Sequence, residues 1–168
     1  MNIAFFGATS QIAKGLITKF NEHSQNKLSF FVRNCDSFNS WRENQNISCL
    51  HEEAKLYSEF SDTNKIEVII NCIGIGDPAK AASISSSIQI TTNYFDEIIL
   101  KYLTCHPETK YFFFSSGIAY GDIFSAPAKN YYQQNIDLNS NKPEDAYAIS
   151  KINAENIHRS LTHLSIID

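Results

Sequence analysis

Neither sign of charge dominates this chain of 168 residues: 14 lysines and arginines stand against 18 aspartates and glutamates, for a net charge of −4 and a pI of about 5.7. The chain therefore lacks a basic surface able to neutralise a run of phosphates, which argues against nucleic acid as a partner. Long apolar runs are also missing. Met1 leads straight into Asn2-Ile3-Ala4-Phe5-Phe6 with no charged stretch and no extended apolar helix, so neither a secretory leader nor a membrane span is expected, and the cytoplasm follows by default. Cys35, Cys49, Cys72 and Cys105 have none of the paired spacing that metal ions use, and the histidines are scattered, so no metal site is expected. The cysteines read as small buried apolar residues. His158 reads as a surface residue of its helix. There are no internal repeats, and low complexity is confined to the serines from Ser83 to Ser87. With 43% hydrophobic and 19% charged residues, the length suits one domain with a real core, residues 1–168.

Glycine is scarce where a phosphate-binding turn would use it most. The residues up to Phe6 form an apolar run too short for a helix, and Gly7-Ala8-Thr9-Ser10-Gln11-Ile12-Ala13 turns directly into a periodic segment ending near Phe20. This is a strand, a turn and a helix. In dinucleotide-binding folds such a turn presents backbone amides and the positive helix end to a pyrophosphate. The usual pattern spaces three glycines, but here only Gly7 stands, with Ser10 and Ala13 in the later places. Ala13 suits close helix–strand packing. Ser10 departs from the pattern, and its hydroxyl either bonds a phosphate oxygen or crowds the ligand. Gly7, Thr9, Ser10, Gln11 and Ile12 are the candidate residues on the phosphate side.

Further strand candidates follow. Leu28-Ser-Phe-Phe-Val32 is apolar and β-favouring, and it closes on Arg33 with no acidic residue before Asp36. At the end of a second strand an acidic side chain would bond the ribose 2′-hydroxyl of NAD, whereas an arginine accommodates the 2′-phosphate of NADP. Arg33 thus favours NADP, with NAD as the other candidate. Ile47 to Leu50 reads as a third strand, a helix is expected around Glu53 to Phe60, and Ile66 to Gly74 reads as a strand covered on both faces. That strand ends in Asn71-Cys72-Ile73-Gly74, where open α/β sheets bind ligands. A long helix from about Ser87 to His106 carries Asn93 near its start. Lys110 to Phe114 forms a fifth strand, Pro143 opens a helix at a position proline tolerates, and Leu164 begins a sixth strand. The alternation of strands and helices predicts an α/β doubly wound parallel sheet, the Rossmann fold, of about six strands.

The chemistry sits at the end of the fifth strand and on the helix after the long loop. Ser115-Ser116-Gly117-Ile118-Ala119-Tyr120-Gly121 leaves the strand, and Tyr147 and Lys151 stand at i and i+4 on one helical face. A free tyrosine has a pKa of about 10 and is a poor base near neutrality. An adjacent ammonium lowers it, which makes Tyr147 a general acid/base and Ser116 the group that orients a substrate oxygen. The loop from Asp122 to Lys142, with Pro127, Tyr131 and Tyr132, lies between these segments. It reads either as a substrate-contacting element or as a loop packed down by its own aromatics.

These motifs together resemble the extended short-chain dehydrogenase/reductases, the family of NAD-dependent epimerases and dehydratases that modify nucleotide-linked sugars. The resemblance runs over essentially the whole chain, through Gly7–Ala13, Asn71–Gly74, Asn93, the Ser115–Gly121 signature and the Tyr147/Lys151 pair. It implies that Ser116 holds the substrate oxygen, that Tyr147 exchanges its proton, that Lys151 also grips the nicotinamide ribose, and that Asn93 supports the lysine through water. It implies hydride transfer between NAD(P) and a sugar carbon, a nucleotide-sugar substrate and a homodimer, without separating epimerase, dehydratase and ketoreductase. Members of the family continue into a carboxyl-terminal substrate region that this sequence lacks. The alternative reading is a non-catalytic dinucleotide-binding or sensing module.

Overall fold

In the computed structural model the described residues are 1–23, 25–45, 52–61, 63, 65–75, 83, 86–120, 136–140, 142 and 145–167, with the backbone alone for 86–91. Among them run β1 (Asn2–Phe6), α1 (Gln11–Asn21), β2 (Lys27–Val32), α2 (Cys35–Asn44), β3 (Lys55–Leu56), β4 (Val68–Asn71), α3 (Ser86–Cys105), β5 (Lys110–Phe114), α4 (Ala146–His158) and β6 (Leu164–Ile167). All strand pairs are parallel, in the order β3-β2-β1-β4-β5-β6. This is the doubly wound order in which the chain reverses direction between β1 and β4, leaving a crevice at their carboxyl ends.

Doubled phenylalanines determine how the sheet is covered. Side chains alternate across a strand, so Phe5 and Phe6 point to opposite faces, as do Phe30 and Phe31. In register on β1 and β2, Phe5 stacks on Phe30 at 6.3 Å and Phe6 on Phe31 at 5.0 Å. One face packs with Phe38 of α2 and Ala13 and Ile17 of α1. The other packs with Ile99, Tyr102 and Leu103 of α3 and Ala154 of α4. Both faces are therefore dry, as an all-parallel sheet requires. No helix among the described residues is long and apolar enough to cross a membrane.

The two amino-terminal helices start on side-chain caps. Ser10 Oγ accepts the Ala13 N–H at 3.1 Å, and Asn34 Oδ1 accepts the Ser37 N–H at 3.0 Å. The helix expected over Glu53 to Phe60 is not formed. Lys55 and Leu56 pair with Phe31 and Val32 as edge strand β3, and Tyr57–Glu59 makes one 3-10 turn. Two forces override helical propensity here: the Glu59 carboxylate accepts the Leu56 N–H at 2.6 Å, and Tyr57 and Phe60 are drawn onto Phe6 at 5.9 and 4.9 Å. The expected strand at Ile47–Leu50, the start at Pro143, and Pro127, Tyr131 and Tyr132 lie outside the described residues. The cysteine expectation holds for buried Cys72, while Cys35 is half-buried, Cys105 is exposed, and Cys49 lies outside the described residues.

Because Ser10 satisfies an otherwise orphaned amide of α1, Ser10→Ala is expected to lower unfolding free energy by about 1 kcal/mol at an unchanged denaturant slope, measured by urea unfolding.

Candidate active site

The turn after β1 is shaped by a close backbone approach. Gly7 has φ +71°, and a Cβ placed on it would lie 2.8 Å from the carbonyl carbon and oxygen of Cys72 and 2.9 Å from the Ile73 nitrogen. Only glycine fits, because this φ disfavours L side chains and the neighbour is rigid backbone. The turn is pinned by Gly7 N–H to Phe31 O at 3.1 Å and Ser10 N–H to Gly7 O at 2.9 Å. Ser10 thus stands at the helix cap, with its oxygen turned to Ala13 and its hydroxyl bonded to the Cys72 side chain. Thr9 is half-buried, while Gln11 and Ile12 are exposed on the first turn of α1. Their N–H groups have no intrahelical acceptor, and no acidic residue occupies that turn. Such a helix start favours a negative charge.

At the end of β4 the four candidate residues divide. Asn71, Cys72 and Ile73 are buried and Gly74 is exposed. Asn71 is fully inside: its Nδ2 donates to Asp96 Oδ1 at 3.2 Å and to Tyr111 Oη at 2.8 Å, and its Oδ1 accepts the Ile73 N–H at 2.9 Å. Its side chain therefore shapes the strand exit from beneath and does not face a ligand.

Lys151 is the centre of the site. Only 3% exposed, it donates from Nζ to Phe114 O at 2.8 Å and Ile73 O at 3.2 Å, tying together the exits of β5 and β4. The ammonium also lies 4.7 Å from the centroid of the Phe113 ring. The Cβ position of Gly74 is 3.2 Å from Lys151 Nζ and 3.9 Å from Tyr147 Oη, so the ammonium and the phenol converge over one glycine. Ser116 hydrogen-bonds the Tyr147 hydroxyl, and its Oγ accepts the Ile118 N–H at 3.4 Å. Ser116, Tyr147 and Lys151 are thus brought together.

The electrostatics differ from the sequence expectation. Burial raises the Tyr147 phenol above its ordinary value of 10.0, opposed by the Ser116 hydrogen bond and not by Lys151. Within the chain itself the phenol is neutral. Burial also lowers Lys151 from 10.5 to about 8, against the pull of Asp96, Cys72 and Glu155. The ammonium persists at neutral pH.

Other candidates stand apart. Asn93 is exposed on α3, and the α3 side chain acting on Lys151 is buried Asp96, one turn later. Arg33 is exposed at the end of β2, near enough to pull down the Tyr57 phenol that burial raises to about 12. His158, expected at the surface, is fully buried, because α4 packs that face against β5, where Tyr111 and Phe113 meet its ring. Sequence reasoning also missed Glu155, which is 4% exposed and bonded to Ser115 Oγ and to Arg159 at 3.0 Å. Its place four residues after Lys151, on the same helical face, was the available signal.

A parallel sheet of this order, with a glycine turn at its switch point and serine, tyrosine and lysine gathered at the strand ends, is the layout of a Rossmann-type α/β domain. A family model described as the NAD dependent epimerase/dehydratase family matches residues 3–165, and the chain belongs to that family. No curated protein matches the chain. Similar solved structures include the UDP-Glc/GlcNAc 4-epimerase of Campylobacter jejuni, at TM-score 0.73 and 11% identity over 95% of this chain and 48% of that one. The UDP-glucose 4-epimerase of Bifidobacterium longum, in complex with NAD+ and UDP, gives 0.73 at 16% over 99% and 51%. The UDP-glucose-4-epimerase of Stenotrophomonas maltophila gives 0.75 at 14% over 99% and 51%. The chain spans about half the length of these proteins.

Gly7→Ala should cost about 1–3 kcal/mol from the backbone conformation alone, with the clash against Cys72 added, read as a fall in the urea midpoint. A second expectation concerns pH. The unfolded chain holds the Lys151 proton more tightly than the folded one, so this group's contribution to stability rises with pH between about 8 and 10.5. Replacing it by methionine, Lys151→Met, should remove that rise from a series of unfolding curves.

Proposed function

We propose that this chain is the cofactor-binding, catalytic half of an enzyme that transfers hydride between a nicotinamide dinucleotide and a nucleotide-linked sugar, with Tyr147 as general acid/base. The observation that carries the reading is the convergence of Tyr147 Oη and Lys151 Nζ over Gly74, with Ser116 bonded to the phenol. A dinucleotide fits the residues present. A glycine that no side chain can replace lets the turn after β1 lie against the β4 exit backbone at the switch point, and the start of α1 offers the unpaired amides of Gln11 and Ile12. Gly7, Thr9, Ser10, Gln11 and Ile12 would lie along the diphosphate, Cys72, Ile73 and Gly74 along the nicotinamide side, and Lys151 at the ribose. The nicotinamide, when bound, supplies the hydride chemistry.

The rest falls to side chains. Ser116 Oγ holds the sugar oxygen, and Tyr147 gives or takes its proton. Lys151 spends two of its N–H donors on Ile73 O and Phe114 O, which fixes the nitrogen and leaves a third N–H to turn toward the ribose and phenol. We take NAD as the cofactor in preference to the NADP that Arg33 alone suggests. The family model is named for NAD, and the structures from Bifidobacterium longum and Stenotrophomonas maltophila hold it.

The test is binding and turnover together. NADH fluorescence should be enhanced on addition of the protein, at least as strongly as NADPH fluorescence. Tyr147→Phe should leave that binding within about twofold while lowering hydride transfer with a UDP-sugar by about 10²–10⁴-fold. Tighter NADPH binding abolished by Arg33→Ala would restore NADP. Full cofactor binding with the same null turnover in wild type and variant, in a form of the protein that also carries a substrate-binding region, would replace the enzyme with a binding module.

A further inference from the structure

Beneath the strand ends lies a polar cluster that the proposed chemistry does not use. Asp96 of α3 is 2% exposed and His158 of α4 is fully buried, with His158 Nε2 3.6 Å from Asp96 Oδ2. Among the described residues, neither of these atoms has a hydrogen-bond partner. A buried carboxylate oxygen and an imidazole nitrogen that face each other are both satisfied only if one donates to the other. A small side-chain adjustment brings them within hydrogen-bond reach. The edges of the Tyr111 and Phe113 rings hold the imidazole plane, with centroids at 5.1 and 4.5 Å and interplanar angles of 82°.

The other side of the carboxyl leads to the active site. Asp96 Oδ1 accepts from Asn71 Nδ2 at 3.2 Å, Asn71 Oδ1 accepts the Ile73 N–H at 2.9 Å, and Ile73 O accepts from Lys151 Nζ at 3.2 Å. We propose that Asp96 and His158 hold one proton between Oδ2 and Nε2, and that Asp96 is a positioning residue for Lys151, acting through Asn71 and Ile73. The claim goes beyond the sugar-nucleotide reading, since it concerns the chain alone and can be tested without turnover.

The groups around the pair are Asn71 from β4, Tyr111 and the Phe113 ring from β5, and Lys151 from α4, with Glu155 one turn before His158. Burial raises Asp96 to about 7 and lowers His158 to about 4, and the Lys151 ammonium pulls both down. In return the Asp96 carboxylate raises Lys151. The two members of the pair act on stability with opposite sign. The folded chain keeps the Asp96 proton that the unfolded chain releases, so this contribution falls as pH rises from 3.8 to about 7. The folded chain refuses the His158 proton that the unfolded chain binds, so that contribution rises from about 4 to 6.5. In wild type the two largely offset.

Asp96→Asn keeps an acceptor for Asn71 and gains an amide that can donate to His158. Lysine ε-carbon NMR should show the Lys151 midpoint falling by about one pH unit in this variant. Its stability should rise with pH between 4 and 6.5, whereas that of His158→Gln should fall over the same range. An unchanged Lys151 midpoint in folded Asp96→Asn overturns the positioning role, and slopes of the same sign in the two variants overturn the shared proton. If either variant fails to fold, wild type carries the test. Every titration step seen at the Asp96 carboxyl carbon must then also be seen at the His158 ring carbons, and steps in one that leave the other unmoved overturn the pairing.

Discussion

A single ammonium joins the two halves of this site. Lys151 is withdrawn from solvent, yet its nitrogen donates to the last carbonyls of two neighbouring strands, Ile73 after β4 and Phe114 at the end of β5. Parallel strands leave their terminal carbonyls without ladder partners, so a buried cation there satisfies groups that would otherwise carry a desolvation cost. The same contact fixes where α4 sits along the sheet. Once α4 is placed, Tyr147, one turn earlier, must project over Gly74 and meet Ser116 leaving β5. The helix, the strand exits and the Ser116 and Tyr147 hydroxyls are thus parts of one constraint.

Burying that charge has consequences. It lowers Lys151 to about 8, and the tyrosine's own burial keeps the Tyr147 phenol above its ordinary value, so the chain by itself does not hold a phenolate at neutral pH. The resemblance singles out a tyrosine–lysine pair that the structure brings together over Gly74, but it does not give their protonation, which burial decides. The carboxylates that offset the ammonium, Asp96 and Glu155, come from two helices packed side by side. The reactive end of the domain therefore rests on a buried polar layer as well as on the aromatic core.

Much of the fold was legible because its signals are local. The doubled phenylalanines of β1 and β2 and the near-continuous apolar run of β4 declare strands buried on both faces, and Gly7 followed by a periodic segment declares the turn. Ser10 was misjudged as a damaged glycine position when it is also a helix cap, a reading available from its place just before the apolar period of α1. The region of β3 misled because its two-residue strand and 3-10 turn are held by Phe6 and Phe31, residues about fifty and twenty-five positions away in sequence. Asp96 and His158 were invisible for a related reason. A polar side chain reads as solvated until the packing of one helix against another is known, although His158 shares the helical face of Lys151 and Glu155. Asn93, which the resemblance favoured, is exposed beside the buried stripe of α3 that Thr92, Asp96, Ile99 and Leu103 form.

The central claim is spatial: the nicotinamide ring should lie over Gly74, between the β4 exit and the Tyr147 hydroxyl. Nuclear Overhauser contacts from the C4 proton of bound NAD test it directly on the isotopically labelled chain. The account predicts contacts to the Gly74 α-protons and to the Tyr147 ring. Binding that places the C4 proton against another part of the surface, with no contact to either residue, would contradict it.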